Sequence, residues 1–497
     1  MRSDIDRHGD VHAARAAQLE RACIASGFPH VINGKRSLRG EHLEVFDPST
    51  GKALCTVPSA DREVLDSAVN AARGALDPWC ATSFDKRRTI LNAVFERIDE
   101  HIVELSALLT AEQGRPMTGS KWEIEYLTHL YGKAFQKFEM MDQEGTLDGF
   151  GPYVKRFTPL GVVCVISPWN LPVALSYMAA LPALLTGNTV VLKVSPFSPL
   201  TSLRIADYIN DLLPPGVLNV ITGNDELGPM MTAHPGVNQI TFTGSTVTGR
   251  RVLESSAASL KRVSLELGGN DAGIVLPDAD PADIAESLFW HMFMLNGQAC
   301  IGLKRLFVHE DLYLPLTSAL VTYAQRVKTG DGFDLGTNLG PVQNQTHYKR
   351  LMSTLRDIEN SGATILYKGH IPEDSGGYFV PITMIDNPPD EATFVKEELF
   401  GPIRSIFKYT NLDDAIDRAN STEYGLGASV WGKDFKVLNK VARRLQAGTV
   451  WINQHATLHP LLPFSGHKGS GIGAQLGVEG LHEFCNVQVV ARSEANQ

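Results

Sequence analysis

What this chain lacks narrows its class before any motif is read. It has 6 cysteines (Cys23, Cys55, Cys80, Cys164, Cys300 and Cys485), none in a Cys-x-x-Cys pair, and its histidines form no cluster at zinc spacing. That excludes a disulfide scaffold and a structural zinc site, leaves no metal site to assign, and points to reduced thiols, most of them small core hydrophobes. There is no surplus of basic charge: 45 Lys and Arg against 55 Asp and Glu give a formal net charge of -10, which repels phosphate backbones. No run suits a membrane span, because the longest apolar region, 162–194, is interrupted by Pro168, Asn170, Pro172, Pro182 and Asn188. The first residues lack the apolar core of a secretory signal, and Asp4, Asp6, Asp10 and Glu20 argue against an acid-poor transit peptide. A cytoplasmic location is expected. Two familiar phosphate-binding signatures are also missing. There is no convincing Gly-x-Gly-x-x-Gly, and although Gly244 and Gly249 have P-loop spacing, Arg250 and Arg251 stand where Lys and Ser/Thr are needed.

What remains is an ordinary globular composition, 43% hydrophobic and 20% charged. The 497 residues, at ~150 per domain, suggest about three lobes. After a polar extension, Asp61 is placed to cap a helix with Val64, Leu65, Ala68, Val69, Ala72 and Leu76 on one face. A second helical stripe runs from Leu91 to Leu109 and stops near Gly114, and a third helix begins near Trp122. From residue 160 short β-branched runs alternate with helical stretches: 162–166, 189–193, 218–221, 239–243 and 262–267, then 305–309, 364–367, 404–409, 428–431 and 449–453. Such alternation indicates parallel strands with crossover helices, hence an α/β fold with two lobes. Residues 152–158 and 484–490 also read as strands, outside both lobes in sequence, suiting a separate β element or an edge that pairs with another subunit.

Several segments have residue types suited to chemistry, each with a structural alternative. Asn170, in Pro168-Trp169-Asn170, follows an apolar strand; its amide either faces a ligand at the strand's carboxyl end or caps the next helix. Lys193 ends another apolar strand and either reaches a ribose or phosphate or snorkels to solvent. Phe242-Thr243-Gly244-Ser245 is a strand entering a turn before a helix whose free N–H groups suit an anion. In Leu265-Glu266-Leu267-Gly268-Gly269, Glu266 stands beside two glycines, where partial burial would raise its pKa toward general-base range; the alternative is a carboxylate paired with an Arg. Cys300, in Gly297-Gln298-Ala299-Cys300, lies in a tight loop that can expose a sulfur and a backbone N–H together, or is an inert buried thiol.

Together and in order, these segments, with 397–402 (EELFGP) and 463–471 (PFSGHKGSG), resemble the aldehyde dehydrogenase superfamily over nearly the whole chain. The resemblance implies two Rossmann-like α/β lobes plus a small β oligomerisation arm. Residues 1–28 would be an N-terminal extension, 29–140 and 160–266 the cofactor-binding domain, 267–470 the catalytic domain, and 141–159 with 471–497 the arm of a homodimer or homotetramer. It also implies a mechanism. The Cys300 thiolate attacks an aldehyde, the Asn170 amide and the Cys300 N–H stabilise the oxyanion, and hydride passes to the cofactor. Glu266 then activates water to hydrolyse the thioester. The cofactor, NAD or NADP with NAD slightly favoured, would lie along Ile166, Trp169, Lys193, Gly223, Gly244, Ser245, Leu267, Gly268, Glu398 and Phe400. The substrate channel would comprise Leu171, Ala174, Leu175, Met178, Met294, Ile301, Leu458 and Phe464. No cation appears among these, so the expected substrate is an uncharged aliphatic or aromatic aldehyde.

The chain departs from the family pattern at three places. Pro196 replaces a Glu that, in many NAD-preferring relatives, holds the ribose 2′-OH. Ala179 and Gln475 stand where some relatives have a Lys and a Glu forming a proton route from the base. Ser465 replaces a Gly. The alternative functions are a semialdehyde dehydrogenase, hydrolytic or coenzyme A-acylating, and a catalytically silent binding or structural relative. Glu266 argues against acylation, and retention of Cys300, Glu266 and Asn170 argues against silence.

Overall fold

The computed structural model describes residues 27–140, 142–372 and 376–493; Cys23 and most of the N-terminal extension lie outside the described residues. The first sheet has 8 strands. Its parallel core runs, edge to edge, Leu218–Thr222, Thr189–Val194, Val162–Ile166, Gln239–Thr243 and Arg262–Glu266. The chain winds outward from Val162–Ile166 in one direction, then returns to lay Gln239–Thr243 on its other side. The crevice at the carboxyl ends of these two strands is therefore a topological switch point, where open α/β sheets bind ligands. Val162–Ile166 and Thr189–Val194 are buried throughout, as parallel strands covered on both faces require. One cover is helix Arg62–Cys80, capped by the Asp61 side chain accepting from Val64 N at 2.8 Å, with Val64, Leu65, Ala68, Val69 and Ala72 buried.

The second sheet has 7 strands in the order Thr364–Lys368, Thr383–Asp386, Ile403–Tyr409, Leu303–His309, Asp271–Val275, Gly427–Trp431 and Thr449–Ile452. All its pairings are parallel except that of Thr364–Lys368 with Thr383–Asp386. A separate antiparallel sheet joins Cys485–Ala491, Gly151–Pro159 and Gln143–Leu147.

Some expectations need correction. The stripe from Leu91 to Leu109 is two helices, Phe84–Glu100 and Ile102–Gln113, broken at His101, whose ring stacks on Tyr208 at 4.0 Å. The second of these ends where Gly114 adopts φ 82. The third helix, Met117–Glu125, passes into a wide turn at Tyr126–Tyr131. Gly471–Ile472, expected in the arm, instead pairs with Leu265 and Glu266 at the edge of the first sheet. Cys164 and Cys485 are buried, but Cys80, at the end of its helix, is exposed and is not a core residue.

Candidate active site

The two sheets meet at loops that gather the chemical groups. After strand Val162–Ile166 the chain turns through Ser167, whose backbone N–H and hydroxyl both donate to the Lys193 carbonyl, at 3.1 and 3.2 Å. Asn170 follows, almost fully buried. It caps no helix: its Nδ2 donates to the Gln298 carbonyl at 3.0 Å, across to the loop that carries Cys300. Its own carbonyl accepts from Arg115 Nη2 at 2.8 Å, and Arg115 Nη1 lies 2.7 Å from the Glu123 carboxylate. The second oxygen of Glu123 accepts from Val173 N and Ala174 N at 2.8 and 2.9 Å. A buried ion pair thus braces both ends of the Asn170 loop.

The Cys300 loop has an unusual backbone. Leu295, Asn296 and Gly297 have φ of 53, 55 and 75, a run of left-handed residues that costs energy at the two that are not glycine. A Cβ at Gly297 would stand 2.2 Å from the Gly401 carbonyl oxygen, so the close approach requires glycine as well. Neighbouring side chains hold the loop. Asn296 Nδ2 donates to the Gly340 carbonyl at 2.6 Å, Gln298 Oε1 accepts from Gln343 N at 2.9 Å, and Arg404 Nη2 donates to the Gly297 carbonyl at 3.1 Å. Cys300 is partly exposed. Burial of the sulfur's surroundings pushes its thiol pKa up, opposed by Lys304 and reinforced by Glu398, Asp271 and Glu266.

Glu266 ends strand Arg262–Glu266 between Thr243 and Gly471. Its carbonyl accepts from Gly244 N at 3.0 Å. Its side chain is buried, and Oε2 has no hydrogen-bond partner. Burial, then the Glu483 carboxylate, hold its pKa well above the usual carboxylate range. An unpaired buried carboxylate is costly for the fold alone and is a mark of a working site.

Of the groups expected along a dinucleotide, Ile166 and Gly244 stand at the carboxyl ends of the two switch-point strands. Ile166 ends its strand. Lys193 is buried at the end of Thr189–Val194; burial lowers its pKa to about 8, and Asp225 opposes that shift. Ser245 caps helix Thr246–Ala257, accepting from Thr248 N at 3.2 Å, and a Cβ at Gly249 of that helix would stand 2.5 Å from Leu267 Cδ2. Gly223 packs closely too: its Cβ would meet Leu227 Cδ2 at 2.7 Å. Glu398 Oε1 accepts from Gly269 N at 3.3 Å, and a Cβ at Gly268 would stand 2.4 Å from Glu398 Oε2. Phe400 has φ 53 and meets Trp169 edge to face at 5.4 Å.

Of the expected channel residues, Ala174, Met178, Ile301 and Phe464 are buried in one apolar body, against which Cys300 and Leu458 pack. Leu171, Leu175 and Met294 are half-buried and lie outside that body. Among the described residues no group of His, Cys, Asp and Glu could hold a metal ion, and no helix is long and apolar enough to cross a membrane.

Sequence reasoning missed the supporting groups: Arg115, Glu123, Lys304, Arg404 and His347. The His347 ring lies 5.8 Å from Trp169, and its Nε2 is 2.7 Å from the Phe400 carbonyl oxygen. One signal was available. Lys304 and Arg305 are consecutive cations near the start of strand Leu303–His309, ahead of the apolar run 306–308, and both are buried.

The aldehyde dehydrogenase family profile matches residues 35–490. The chain is 37% identical to aldehyde dehydrogenase 1 of Tanacetum cinerariifolium over 472 residues, covering 92% of this chain and 94% of the relative. It is 33% identical to the chloroplastic betaine aldehyde dehydrogenase of Beta vulgaris over 477 residues, covering 93% and 95%. Its fold matches aldehyde dehydrogenase C (AldC) of Pseudomonas syringae, solved as a variant complexed with NAD+ and octanal. That match has a TM-score of 0.87 at 30% identity, covering 93% of this chain and 96% of the other. The chain belongs to the aldehyde dehydrogenase family.

Proposed function

We propose that this enzyme oxidises an uncharged, apolar aliphatic or aromatic aldehyde to the carboxylic acid, with NAD as hydride acceptor. The observation that carries the reading is the reach of the Asn170 amide to the Cys300 loop, 3.0 Å from the Gln298 carbonyl oxygen. A donor held there by buried partners is preorganised for an oxyanion that develops beside Cys300. The Cys300 thiolate adds to the aldehyde carbon, and the oxygen is received by Asn170 Nδ2 and the Cys300 N–H. Bound NAD supplies a hydride acceptor, so the adduct becomes a thioester. Glu266 takes a proton from water, which attacks the thioester, releases the acid and restores the thiol.

The residues present fit such a cofactor. Lys193 offers a buried ammonium at a strand's carboxyl end, Ser245 opens a helix after a strand two places along the sheet, and Trp169 and Phe400 form an aromatic wall. The complexed state of the Pseudomonas syringae structure supports NAD. So does the ≈ 580 Å³ cavity beside Pro196, whose charged lining groups are Glu44, Asp225 and Glu226. By this reading residues 29–140 and 160–266 bind the cofactor, 267–470 carry the nucleophile, and 141–159 with the C-terminal strand form the arm of a homodimer or homotetramer. Strand Cys485–Ala491 supports the arm, being a sheet edge with Val487, Val489 and Val490 exposed.

The apolar body against which Cys300 packs supports the substrate class, and octanal in the Pseudomonas syringae structure agrees. The match to a betaine aldehyde dehydrogenase makes a cationic aldehyde the rival. A panel of hexanal, benzaldehyde, succinic semialdehyde and betaine aldehyde separates them. Higher kcat/KM for the first two is expected, and the substrate reading fails if either charged aldehyde leads. Cys300→Ser should abolish turnover on all of them; unchanged turnover would remove the thiolate mechanism.

A further inference from the structure

The site holds a buried cation that the mechanism above leaves unused. Lys304 is the second residue of strand Leu303–His309, and its side chain is 4% exposed. An ammonium has three protons to donate, and here three acceptors surround it. Nζ donates to the Ala299 carbonyl at 2.9 Å and to the Cys300 carbonyl at 2.5 Å, and lies 3.1 Å from Glu398 Oε1. Burying a Lys is costly unless it is paired, and here every donor has a partner. Both carbonyls belong to the loop whose backbone is left-handed from Leu295 to Gly297. Lys304 therefore grips the loop at Ala299 and Cys300, next to the Gln298 carbonyl that Asn170 holds.

Its charge has a second consequence. Among the described residues, the ionisable groups that act most on the Cys300 thiol are Lys304, Glu398, Asp271 and Glu266, of which Lys304 is the cation. Burial and three carboxylates all favour the protonated thiol, which is a poor nucleophile. Resting on the reading of Cys300 as the nucleophile, we propose that Lys304 is a positioning residue that pins the Cys300 main chain and supplies the positive charge for its thiolate, while Glu398 holds that charge in check. Glu398 then has two partners available in turn: the ammonium, as seen here, and a ribose hydroxyl when cofactor is bound.

The test is the pH dependence of Cys300 alkylation by iodoacetamide in the full-length enzyme, followed by peptide mass spectrometry so that exposed Cys80 is counted separately. In Lys304→Met the Cys300 midpoint should rise by about 1 unit or more, the usual scale for losing an adjacent opposite charge. Lys304→Arg should restore at least about half of that shift, since it keeps the charge. Glu398→Gln should move the midpoint the other way. Damage to the fold alone would not give opposite shifts from two touching residues, and Glu398→Gln with Lys304→Arg keep the question open to measurement if Lys304→Met does not fold. A midpoint unchanged or lowered in Lys304→Met, or unchanged or raised in Glu398→Gln, overturns the proposal. Those outcomes with a dead Cys300→Ser enzyme sink only the role of Lys304; a fully active Cys300→Ser enzyme sinks the nucleophile itself.

Discussion

Arg115 donates from Nη2 to the main-chain carbonyl of Asn170 at 2.8 Å, from a guanidinium that also faces Glu123 at 2.7 Å. The pair is almost wholly buried, with side chains 5% and 0% exposed. Its worth lies less in net stability than in what happens when one partner is lost, because the survivor is then a buried, uncompensated charge. Arg115→Met should therefore destabilise the fold by ~3–5 kcal/mol. In the fraction that remains folded it should lower kcat, because the Asn170 loop loses its anchor; Asn170→Ala sets the scale, with a loss of ~10²–10³ expected for one oxyanion donor. Urea unfolding and steady-state kinetics check both parts. A variant as stable and as fast as the parent would show that the brace is incidental.

The parallel strands of the first lobe were legible because β-branched and other apolar residues dominate them, as at 162–166 and 189–194, and the motifs around Asn170, Glu266 and Cys300 were legible because they are contiguous. Asp271–Val275, the strand between Leu303–His309 and Gly427–Trp431, was not. It opens on an Asp and contains Gly273, where a Cβ would stand 2.8 Å from Leu303 Cδ1. Close packing demanded the residue type that erases the strand signal. Thr383–Asp386, too short to show a period, was missed as well. The supporting groups were illegible for another reason. Arg115 is 55 residues from Asn170, and Arg404 is 107 from Gly297. Only tertiary contact reveals such partners.

In the proposed reading, the acidic lining of the cavity beside Pro196 makes cofactor choice a matter of charge. Pro196 offers no carboxylate to a ribose, but Asp225, Glu226 and Glu44 line the same cavity, and Asp225 is close enough to Lys193 to favour its ammonium. A 2′-phosphate would bring a second anion into this field. NAD should therefore exceed NADP in kcat/KM, and Asp225→Ser should shrink the ratio about tenfold or more, a free-energy change of about 1.4 kcal/mol. The gain should fall on NADP. Fluorescence titration with NADH and NADPH reads the same preference without turnover. A parent enzyme that handles both coenzymes equally well, or an Asp225→Ser variant with an unchanged ratio, would remove the charge argument while leaving the dehydrogenase reading in place.

In the proposed mechanism, Glu483 ties the working pH of Glu266 as base to a neighbouring carboxylate. Ser264 Oγ donates to Glu483 Oε2 at 3.1 Å, Ser264 shares a strand face with Glu266 two residues on, and Glu483 raises the Glu266 pKa after burial has done so. The sign follows from the role. Glu266 must be ionised to accept a proton from water, so thioester hydrolysis should rise with pH through its pKa and be lost as pH falls below it. Replacing Glu483 with Gln removes the like charge and keeps an acceptor for Ser264. Glu266 then ionises more easily, and the acid limb of the hydrolysis rate should move to lower pH by roughly 1 unit. Single-turnover measurement of acyl-enzyme breakdown across pH isolates this step from hydride transfer. Glu266→Gln should abolish the limb along with most of the rate. An acid limb in Glu483→Gln that coincides with the parent, or moves upward, would mean that the two carboxyls do not sense one another and that burial alone sets the base.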